Sequence, residues 1–338
     1  MKQNKIIKKK IALVTGGAGF VGSHLVDLLI KKNFRVIVID NLSGGRLKNL
    51  EKHKRNKNLI FKNLDINKIK KNEKLFDKVT YVFHLAGIGD IVPSIEKPSK
   101  YMMTNIQGTV NILEAARYSK IKKFIYAASS SCYGMNNKRT TEEDSTNPQY
   151  PYALSKYLGE KVVLHWNKVY NLPSNSVRIF NAYGPRVRTT GVYGAVFGVF
   201  FKQKLKKKPL TIVGDGRQSR DFIYVTDVAE AFLKSAKSKH SGEIFNLGSD
   251  NPQSINFLAK LIGGETIHIP NRPGEPRSTW ANIKKINNKL KWKPKVRFRN
   301  GVKKMLDQIE DWKFAPLWSP KSIKIATKSW FKYMGNEK

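Results

Sequence analysis

A tyrosine and a lysine four residues apart form the most reactive pair that this sequence suggests. Tyr152 and Lys156 open a helical stretch that runs toward Tyr170, and side chains at this spacing lie on one face of a helix. An ammonium group beside a phenol favours the phenolate and lowers the pKa of the tyrosine. Ser129, at the end of the preceding predicted strand, is placed to hydrogen-bond the same substrate oxygen. The pattern predicts a tyrosine general base, although the same spacing also arises by chance on surface helices.

A glycine-rich turn near the N-terminus gives this pair a context. Three glycines with the spacing G-x-x-G-x-x-G stand between an apolar run and a helical pattern: Gly16, Gly19 and Gly22. Backbone amides at such a helix start can approach a pyrophosphate closely, and the helix dipole favours its negative charge. Asp40 ends the next apolar run about 20 residues later, where a ribose-binding carboxylate belongs. The stretch therefore predicts a dinucleotide site, and a purely structural glycine turn is the less favoured alternative.

Strand-like and helix-like segments alternate through the first 130 residues. Helical periodicity is clearest from 104 to 119. The predicted strands cover residues 11–15, 35–39, 58–62, 79–83 and 123–128. Such alternation indicates βαβ units and a parallel sheet with helices on both faces. Asn181 follows a sixth predicted strand, so it should face the crevice at the carboxyl edge of the sheet.

We therefore predict an α/β fold with two parts. The first is a doubly wound, Rossmann-type parallel sheet that binds the dinucleotide and takes up residues 1–180, with a return segment at 222–250. The second is a smaller C-terminal α/β domain for the substrate. It covers 181–338, mainly 181–221 and 251–338.

The C-terminal tail, residues 301–338, extends past the recognisable motifs and carries three tryptophans. It is predicted to form two amphipathic helices that separate near Pro316 and Pro320. The sequence leaves three roles open for this tail: packing on the substrate domain, forming an interface, or capping the C-terminus.

Composition limits the cellular setting. The single cysteine, Cys132, excludes an internal disulfide and a cysteine-based metal site. No run of 18 apolar residues appears, so no transmembrane segment is expected. The basic first ten residues lead into the predicted strand of the glycine motif rather than into a signal sequence. These features predict a cytoplasmic protein without a metal centre.

The net charge of +38 is unusual and comes from 63 lysines and arginines against 25 acidic residues. One interpretation is a nucleic-acid partner. The other is a generally lysine-rich surface that suits small polyanionic ligands. The basic residues are spread along the whole chain, without a nucleic-acid-binding motif or interleaved stacking aromatics. The second interpretation is favoured, and no nucleic-acid partner is predicted.

Together these patterns resemble the extended short-chain dehydrogenase/reductase family, and within it the nucleotide-sugar epimerases. The resemblance spans residues 10 to about 296. It rests on the following segments: TGGAGFVG at 15–22, DN at 40–41, DI at 65–66, HLAG at 84–87, NxxGT at 105–109, SSSCYG at 129–134, YxxxK at 152–156, RIFNAYGPR at 178–186, GDGxxxRDFIYVxD at 214–227 and RPGE at 272–275.

The resemblance implies a catalytic set and a cofactor. Ser129, Tyr152 and Lys156 would be catalytic, and NAD would be the cofactor. Its expected contacts are Gly16, Gly19, Phe20, Val21, Gly22, Asp40, Asn41, Asp65, Ile66, Leu85, Ala86, Gly87, Asn105, Tyr152 and Lys156. The Asp40 carboxylate would repel a 2′-phosphate, which favours NAD over NADP. Asp65 also fits a helix N-cap, and His84 is interpreted as a packed, hydrogen-bonded side chain without a chemical role.

The resemblance also implies a nucleotide-sugar substrate, with uracil as its base. Asn181, Arg220 and Arg272 would hold the diphosphate and Glu275 the ribose, and arginine forks suit diphosphates. Ser130 and Ser131 are placed in the substrate site as well. In related epimerases a bulky aromatic at the position of Thr279 restricts N-acetyl sugars, so threonine leaves room for N-acetylhexosamines.

The predicted activity is 4-epimerisation of a UDP-hexose or UDP-N-acetylhexosamine by transient oxidation at C4. The alternatives are a 4,6-dehydratase, a decarboxylase and a non-catalytic NAD-binding regulator. In the dehydratases of this family an Asp–Glu pair follows the catalytic hydroxyl residue, and decarboxylases tend to carry Glu at the second of these positions. Ser130 and Ser131 occupy both positions here. The family resemblance further implies a homodimer formed through the helices near 104–119 and 153–170.

Overall fold

A computed structural model describes residues 9–188 and 196–335 of the chain. The strands are β1 (Ile11–Thr15), β2 (Arg35–Asp40), β3 (Leu59–Asn63), β4 (Tyr81–His84), β5 (Lys123–Ser129), β6 (Arg139–Thr140), β7 (Ser174–Ile179), β8 (Asn181–Tyr183), β9 (Leu210–Val213), β10 (Ser219–Arg220), β11 (Phe222–Tyr224), β12 (Glu243–Leu247), β13 (Gln253–Ser254), β14 (Thr266–Ile269) and β15 (Trp280–Ala281). Seven of them form one parallel sheet in the order β12-β7-β5-β4-β1-β2-β3.

Helices connect and cover these strands. The α-helices are α1 (Phe20–Lys31), α2 (Ile91–Glu96), α3 (Pro98–Met102), α4 (Gly108–Tyr118), α5 (Pro151–Tyr170), α6 (Val196–Leu205), α7 (Val225–Lys237), α8 (Ile255–Ile262), α9 (Lys284–Leu290), α10 (Phe298–Leu306), α11 (Pro320–Ala326) and α12 (Lys328–Met334). A π-helix spans Met103–Gln107. Short 3₁₀ helices span Leu47–His53, Ile66–Lys68, Lys74–Phe76, Ser130–Tyr133 and Ile309–Trp312.

The central sheet is covered on both faces, as the strand and helix alternation predicts. Successive residues of β1 point to opposite sides, because side chains alternate along a strand. Ala12 and Val14 join one apolar cluster together with Leu25 of α1 and Phe232 of α7. Leu13 joins a second cluster with helix α4 and its neighbours. The doubly wound α/β prediction is therefore confirmed.

A third apolar cluster lies outside the sheet and is built from the later parts of the chain. Helices α6, α8 and α10 pack there around the short strand pairs, and Phe201, Leu258 and Trp312 are almost fully buried in it. The pairing β9–β14 is parallel and joins residues 210–213 to 266–269. This cluster draws on segments both before and after β12, the last strand of the main sheet.

Only the second half of the predicted return segment, residues 222–250, contributes a strand to the main sheet. Residues 243–247 do return as β12 beside β7, but Phe222–Tyr224 pairs with Asn181–Tyr183 in a separate two-stranded sheet. The chain continues beyond β7 into β8, which is the parallel partner of Phe222–Tyr224. The assignment of residues 222–250 to the dinucleotide-binding part of the protein stays a prediction. The strand at 79–83 also begins two residues later than predicted, at Tyr81.

Two helical predictions are also modified. The predicted helix over 104–119 is divided, with a π-helical turn at Met103–Gln107 before α4. The tail forms three α-helices, α10, α11 and α12, and one 3₁₀ helix rather than two amphipathic helices. One part of the tail packs on the third cluster, where Trp312 is 1% exposed. Its last helix, α12, packs against α2.

The glycine turn after β1 brings three pieces of backbone into contact. Gly16 adopts a φ of +68°, and a Cβ there would lie 2.7 Å from the Ala86 nitrogen, on the chain that leaves β4. A Cβ on Gly22, in the first turn of α1, would lie 2.1 Å from the Gly16 carbonyl oxygen. Side chains are therefore excluded at both positions, and the turn lets α1 begin directly at the carboxyl end of β1.

Replacing Gly22 by alanine is expected to disrupt this turn, because the new methyl group would overlap backbone that cannot move independently. Overpacking of this kind costs about 1–3 kcal/mol in unfolding free energy. Thermal unfolding and calorimetric titration with NAD should both show a loss. Gly198→Ala is the matched control, since Gly198 also lies in a helix, α6, and the nearest atom outside that helix, Nε1 of Trp312, would lie 3.6 Å from a Cβ there. Unchanged NAD affinity in Gly22→Ala would contradict the role given to the turn.

Candidate active site

A cavity of about 590 Å³ opens at the carboxyl ends of the central strands. Its lining includes most of the residues predicted from sequence to contact the cofactor, namely Gly16, Gly19, Phe20, Val21, Gly22, Asp40, Asn41, Asp65, Ile66, Leu85, Ala86 and Gly87. Sequence reasoning missed other lining residues, among them Ser43, Gly44, Gly45, Asp90, Lys97, Lys100, Tyr101 and Arg188. The small residues Ser43, Gly44 and Gly45 directly after β2 were a usable signal for a close approach of the backbone.

The wall of this cavity suits a dinucleotide. Helix α1 begins after Gly19 without a side-chain cap and without an acidic residue in its first turn, which favours an anion at its N-terminus. Asp40 is held in place by two backbone amides, since its carboxylate accepts hydrogen bonds from Ala18 at 2.9 Å and Leu42 at 2.8 Å. Burial raises the pKa of Asp40, and these two hydrogen bonds act against that rise.

Asp65 fulfils the capping role that sequence offered as an alternative. Its carboxylate accepts from the Asn67 amide at 2.8 Å at the start of a 3₁₀ helix, and from the Asn41 side chain at 3.0 Å. It also lines the cavity, so contact with an adenine remains a prediction. His84 is fully buried between the hydroxyls of Thr15 and Thr109, and burial lowers its pKa to about 3. This arrangement matches its interpretation as a packed, neutral side chain.

Asn105 does not line the cavity and acts instead on the loop that borders it. Its side chain accepts from the Ile88 amide at 2.8 Å and donates to the Ile88 carbonyl at 3.1 Å and to Ser155 at 2.9 Å. The residue is 1% exposed. It therefore fixes the loop after β4 against α5, and its contact with the cofactor stays a prediction.

A second cavity, of about 270 Å³, brings together the predicted catalytic and substrate residues. Ser129, Ser130, Ser131, Tyr152, Asn181, Arg220 and Glu275 all line it. The Ser129 and Ser131 hydroxyls are 2.8 Å apart. Gly89, in the loop after β4, borders both this cavity and the dinucleotide cavity. The second cavity is therefore next to the first.

Lys156 lies one helical turn below Tyr152 and is 7% exposed. Its ammonium stands 4.3 Å from the centre of the Tyr126 ring. A Cβ on Gly87, which lines the dinucleotide cavity, would be 3.8 Å from the Lys156 Nζ. Lys156 thus approaches the dinucleotide cavity from the side of α5, close to the loop that both cavities share.

Burial shifts the pKa of both members of the pair. It raises the pKa of Tyr152, and a hydrogen-bonding interaction with Ser129 acts in the opposite direction. It lowers the pKa of Lys156 to about 7, against the nearby Glu160 carboxylate. The expected lowering of the Tyr152 pKa by Lys156 is not found in the protein alone. A lysine with a pKa of about 7 is protonated in only part of the molecules at neutral pH. It therefore stabilises a phenolate less than a fully protonated lysine would.

A buried ion pair holds the elements that carry these residues. Arg178 of β7 donates to Glu160 of α5 at 2.6 Å, and both side chains are at most 3% exposed. Arg178 also donates to the Tyr133 hydroxyl at 2.7 Å, and Tyr133 donates to Asn246 of β12 at 2.7 Å. The network connects α5, the end of β5, β7 and β12.

Asn181, Arg220 and Glu275 also line a third cavity, of about 210 Å³, together with Arg272. Arg272 donates to Glu275 at 3.0 Å, and Arg220 approaches the same carboxylate at 3.8 Å. Two guanidinium groups against one carboxylate leave a net positive charge, which suits a diphosphate. The far wall is apolar, with Phe197, Phe200 and Val213 among its residues. The predicted diphosphate residues therefore stand between a hydroxyl-lined cavity and an apolar one.

Sequence reasoning missed several residues of the second cavity: Gln149, Tyr150, Phe180 and Trp330. Tyr150 is two positions before Tyr152 and its ring is stacked on that of Tyr152, with centres 6.4 Å apart and 10° between planes. Its closeness in sequence to the predicted base was a signal. Trp330 comes from the tail, and no local pattern predicts its contact with Tyr150, 180 residues earlier.

The comparisons with known proteins identify the family. The model of the NAD dependent epimerase/dehydratase family matches residues 12–248. The chain therefore belongs to this family and is an NAD-dependent enzyme of the extended short-chain dehydrogenase/reductase type, as the motifs predicted. Within residues 9–188 and 196–335, no helix is long and apolar enough to cross a membrane.

Similar proteins include both epimerases and decarboxylases. The chain is 38% identical to a putative UDP-glucose 4-epimerase of Methanocaldococcus jannaschii, over 88% of this chain and 98% of the relative. It is 33% identical to a UDP-N-acetyl-alpha-D-glucosaminuronate decarboxylase of Bacillus cytotoxicus, over 90% of this chain and 98% of the relative. The crystal structure of UDP-glucuronic acid 4-epimerase from Bacillus cereus, in complex with UDP-glucuronic acid and NAD, matches with a TM-score of 0.83 at 32% identity, over 89% and 99% of the two chains.

Replacing Lys156 by methionine is expected to stabilise the protein near neutral pH, because it removes a buried ammonium. The pKa of Lys156 is lowered from 10.5 to about 7 on folding, so the unfolded chain binds more protons between these values and wild-type stability rises with pH across that window. The gain from Lys156→Met should be fully present below about pH 7 and fade toward about pH 10. Denaturant unfolding at several pH values measures it.

Lys161→Met is the matched control, because Lys161 lies exposed on the same helix. It should change stability little at any pH. A stability difference between wild type and Lys156→Met that stays constant across the window would contradict the assigned burial cost.

Proposed function

We propose that the protein is a nucleotide-sugar 4-epimerase acting on a UDP-hexose or UDP-N-acetylhexosamine. The observation that carries this proposal is the chemical character of the second cavity. Tyr152 and Ser129 lie on its wall beside the dinucleotide cavity, and Glu275 is the one carboxylate among its described lining residues. That carboxylate is already engaged by Arg272. The cavity offers a tyrosine and hydroxyls, which is what a reversible oxidation at C4 requires.

In the proposed reaction the residues of this chain hold the sugar and move one proton. The Tyr152 phenolate accepts the proton of the 4-hydroxyl, and Ser129 donates a hydrogen bond to the same oxygen. NAD, when bound, would supply the hydride acceptor and a positive charge that acts against the rise in the Tyr152 pKa caused by burial. Arg220 and Arg272 keep the diphosphate anchored while the 4-keto sugar turns over. Tyr152 then returns the proton to the oxygen at C4 while the hydride returns to the other face of that carbon, which restores the alcohol with inverted configuration.

The serines at 130 and 131 argue against the other reactions of the family. Dehydration across C5 and C6 needs a base for the C5 proton and an acid for the leaving hydroxyl. A serine hydroxyl stays neutral near pH 7 and cannot replace a carboxylate in either task. Decarboxylases of the family tend to carry Glu where Ser131 stands, so the same residue disfavours decarboxylation.

A non-catalytic NAD-binding regulator is the alternative from another class. It has no need of a tyrosine and a serine on one cavity wall, or of a lysine buried at an energetic cost. All three are present in this chain: Ser129 and Tyr152 line the second cavity, and Lys156 lies one turn from Tyr152 on α5. We therefore favour the enzyme.

Thr279 supports a broad choice of sugar. It lines the second cavity, and its hydroxyl donates to Asn181 at 2.8 Å while accepting from the Asp221 amide at 3.1 Å. These two hydrogen bonds hold the short Thr279 side chain against the strands, so the side chain does not extend into the cavity. The space that a bulky aromatic would fill at this position is available to an N-acetyl group.

We further propose a homodimer formed through α4 and α5, which pack on each other. Apolar side chains are exposed on these helices although such residues are usually buried. They are Tyr118, Leu154, Leu158, Val169 and Tyr170, all at least 36% exposed. Leu154 and Leu158 are one turn apart on α5 and form a continuous apolar strip. A second copy of the same strip is a suitable cover for it.

Turnover in heavy water should separate the candidate reactions. With UDP-glucose or UDP-N-acetylglucosamine, NMR should show interconversion of the gluco and galacto forms without deuterium at C5 or C6. Deuterium at C5 or a stable 4-keto-6-deoxy product would favour the dehydratase. Release of carbon dioxide from a UDP-uronic acid would favour the decarboxylase.

Tyr152→Phe should lose about 10²–10⁴-fold in rate, the usual share of a general base, while still binding NAD.

Leu158→Glu is expected to give monomers, because it places two buried like charges across the proposed dimer axis. Sedimentation or light scattering at several concentrations measures the change. Leu317→Glu is the control, since Leu317 is also exposed, at 43%, and lies in the tail. A monomeric wild type, or dimers that persist in Leu158→Glu, would contradict this interface.

A further inference from the structure

The last described helix, α12, reaches the second cavity and contributes Trp330 to its wall. The indole is 2% exposed and lies 5.7 Å from the ring of Tyr150, centre to centre. Tyr150 in turn is stacked on Tyr152. A continuous aromatic surface therefore runs from the C-terminal tail to the proposed catalytic base.

The same helix is fastened on two sides of the cavity. The Trp330 indole N–H donates to the Pro273 carbonyl at 2.5 Å, within the segment that carries Arg272 and Glu275. On the other side Ser329 donates to Glu96 of α2 at 2.8 Å. Helix α2 borders the dinucleotide cavity through Pro93. Helix α12 thus connects the proposed diphosphate-binding segment to the cofactor side of the site.

Close packing shows that this connection is well fitted. Gly274 adopts a φ of +71°, and a Cβ there would stand 2.9 Å from the terminal methyl group of Met334. Segment 272–275 and the end of α12 therefore meet without room for a side chain between them. The contact is part of the fold rather than a loose approach of the tail.

We propose that Trp330 is a specificity-determining residue for the sugar, and that α12 closes the sugar end of the site. This inference rests on the proposed function and names a further part of the same site. A flat apolar indole offers a surface for the C–H face of a pyranose and limits the size of its substituents. It also keeps water away from the wall that holds Tyr152.

The wall and the hydrogen bond can be separated by substitution. Trp330→Phe keeps an aromatic wall and loses the donor to Pro273. Trp330→Leu loses the ring as well and enlarges the cavity. If Trp330 selects the sugar, Trp330→Leu should weaken binding of UDP-sugars about tenfold, change UDP binding by less than about threefold, and alter the relative affinities for UDP-glucose and UDP-N-acetylglucosamine. Trp330→Phe should lie close to wild type in this ratio.

Calorimetric titrations of the NAD-loaded full chain with UDP, UDP-glucose and UDP-N-acetylglucosamine test these expectations. Trp312→Leu is the matched control, because Trp312 is another buried tail tryptophan, packed on Phe201 at 4.8 Å in the third apolar cluster. It should lower stability without changing the affinity ratio. If Trp330→Leu does not fold, the aromatic swap Trp330→Tyr should still shift the ratio, because its smaller ring carries a polar hydroxyl where the wall was apolar.

Two results would overturn the inference: an unchanged ratio between the two UDP-sugars in Trp330→Leu, or in Trp330→Tyr where the leucine variant does not fold, and an equal loss of affinity for UDP and for UDP-sugars. Binding does not depend on turnover. A wild-type protein that binds UDP-sugars without epimerising them would therefore contradict the proposed reaction, and the titrations would still decide the role of Trp330.

Discussion

The site depends on the buried ion pair between Glu160 and Arg178. A buried pair of this kind loses its solvation on folding, and removing one partner typically costs about 3–5 kcal/mol because the other charge is left unpaired. Here the pair fixes α5, which carries Tyr152 and Lys156, against β7, which leads to Asn181. Tyr133 extends the network to the end of β5, where the three serines lie. One charge interaction therefore sets the relative positions of the proposed base, its hydroxyl partner and the substrate strand.

The same pair influences the electrostatics of catalysis. Glu160 is one turn from Lys156, and its carboxylate acts to raise the pKa of that lysine against the effect of burial. Glu160 also forms an ion pair with Arg178. Its carboxylate therefore offsets only part of the desolvation of the Lys156 ammonium. The pKa of Lys156 therefore comes to about 7. The charge that Tyr152 experiences is set by several buried groups together and not by the spacing of two residues.

This explains which parts of the structure were predictable from sequence. The glycine turn, the strand that ends at Asp40 and the parallel sheet were correctly predicted because each depends on a local pattern, a period or a spacing of fewer than about 30 residues. The direction of the Tyr152 pKa, the partner of Phe222–Tyr224 and the positioning role of Asn105 depend on burial and on contacts between distant segments. Trp330 is the extreme case, since it meets Tyr150 across 180 residues of chain.

The contrast between the two ends of the substrate site suits the proposed reaction. An epimerase must let the 4-keto sugar present both faces to the same hydride donor, so tight, directional contacts to the sugar would trap one orientation. The directional groups of this site, Arg220 and Arg272, are placed where a diphosphate would lie. The sugar end offers serine hydroxyls and the faces of Tyr150 and Trp330. Aromatic faces contact either side of a pyranose with similar strength, so they confine the sugar without fixing its orientation.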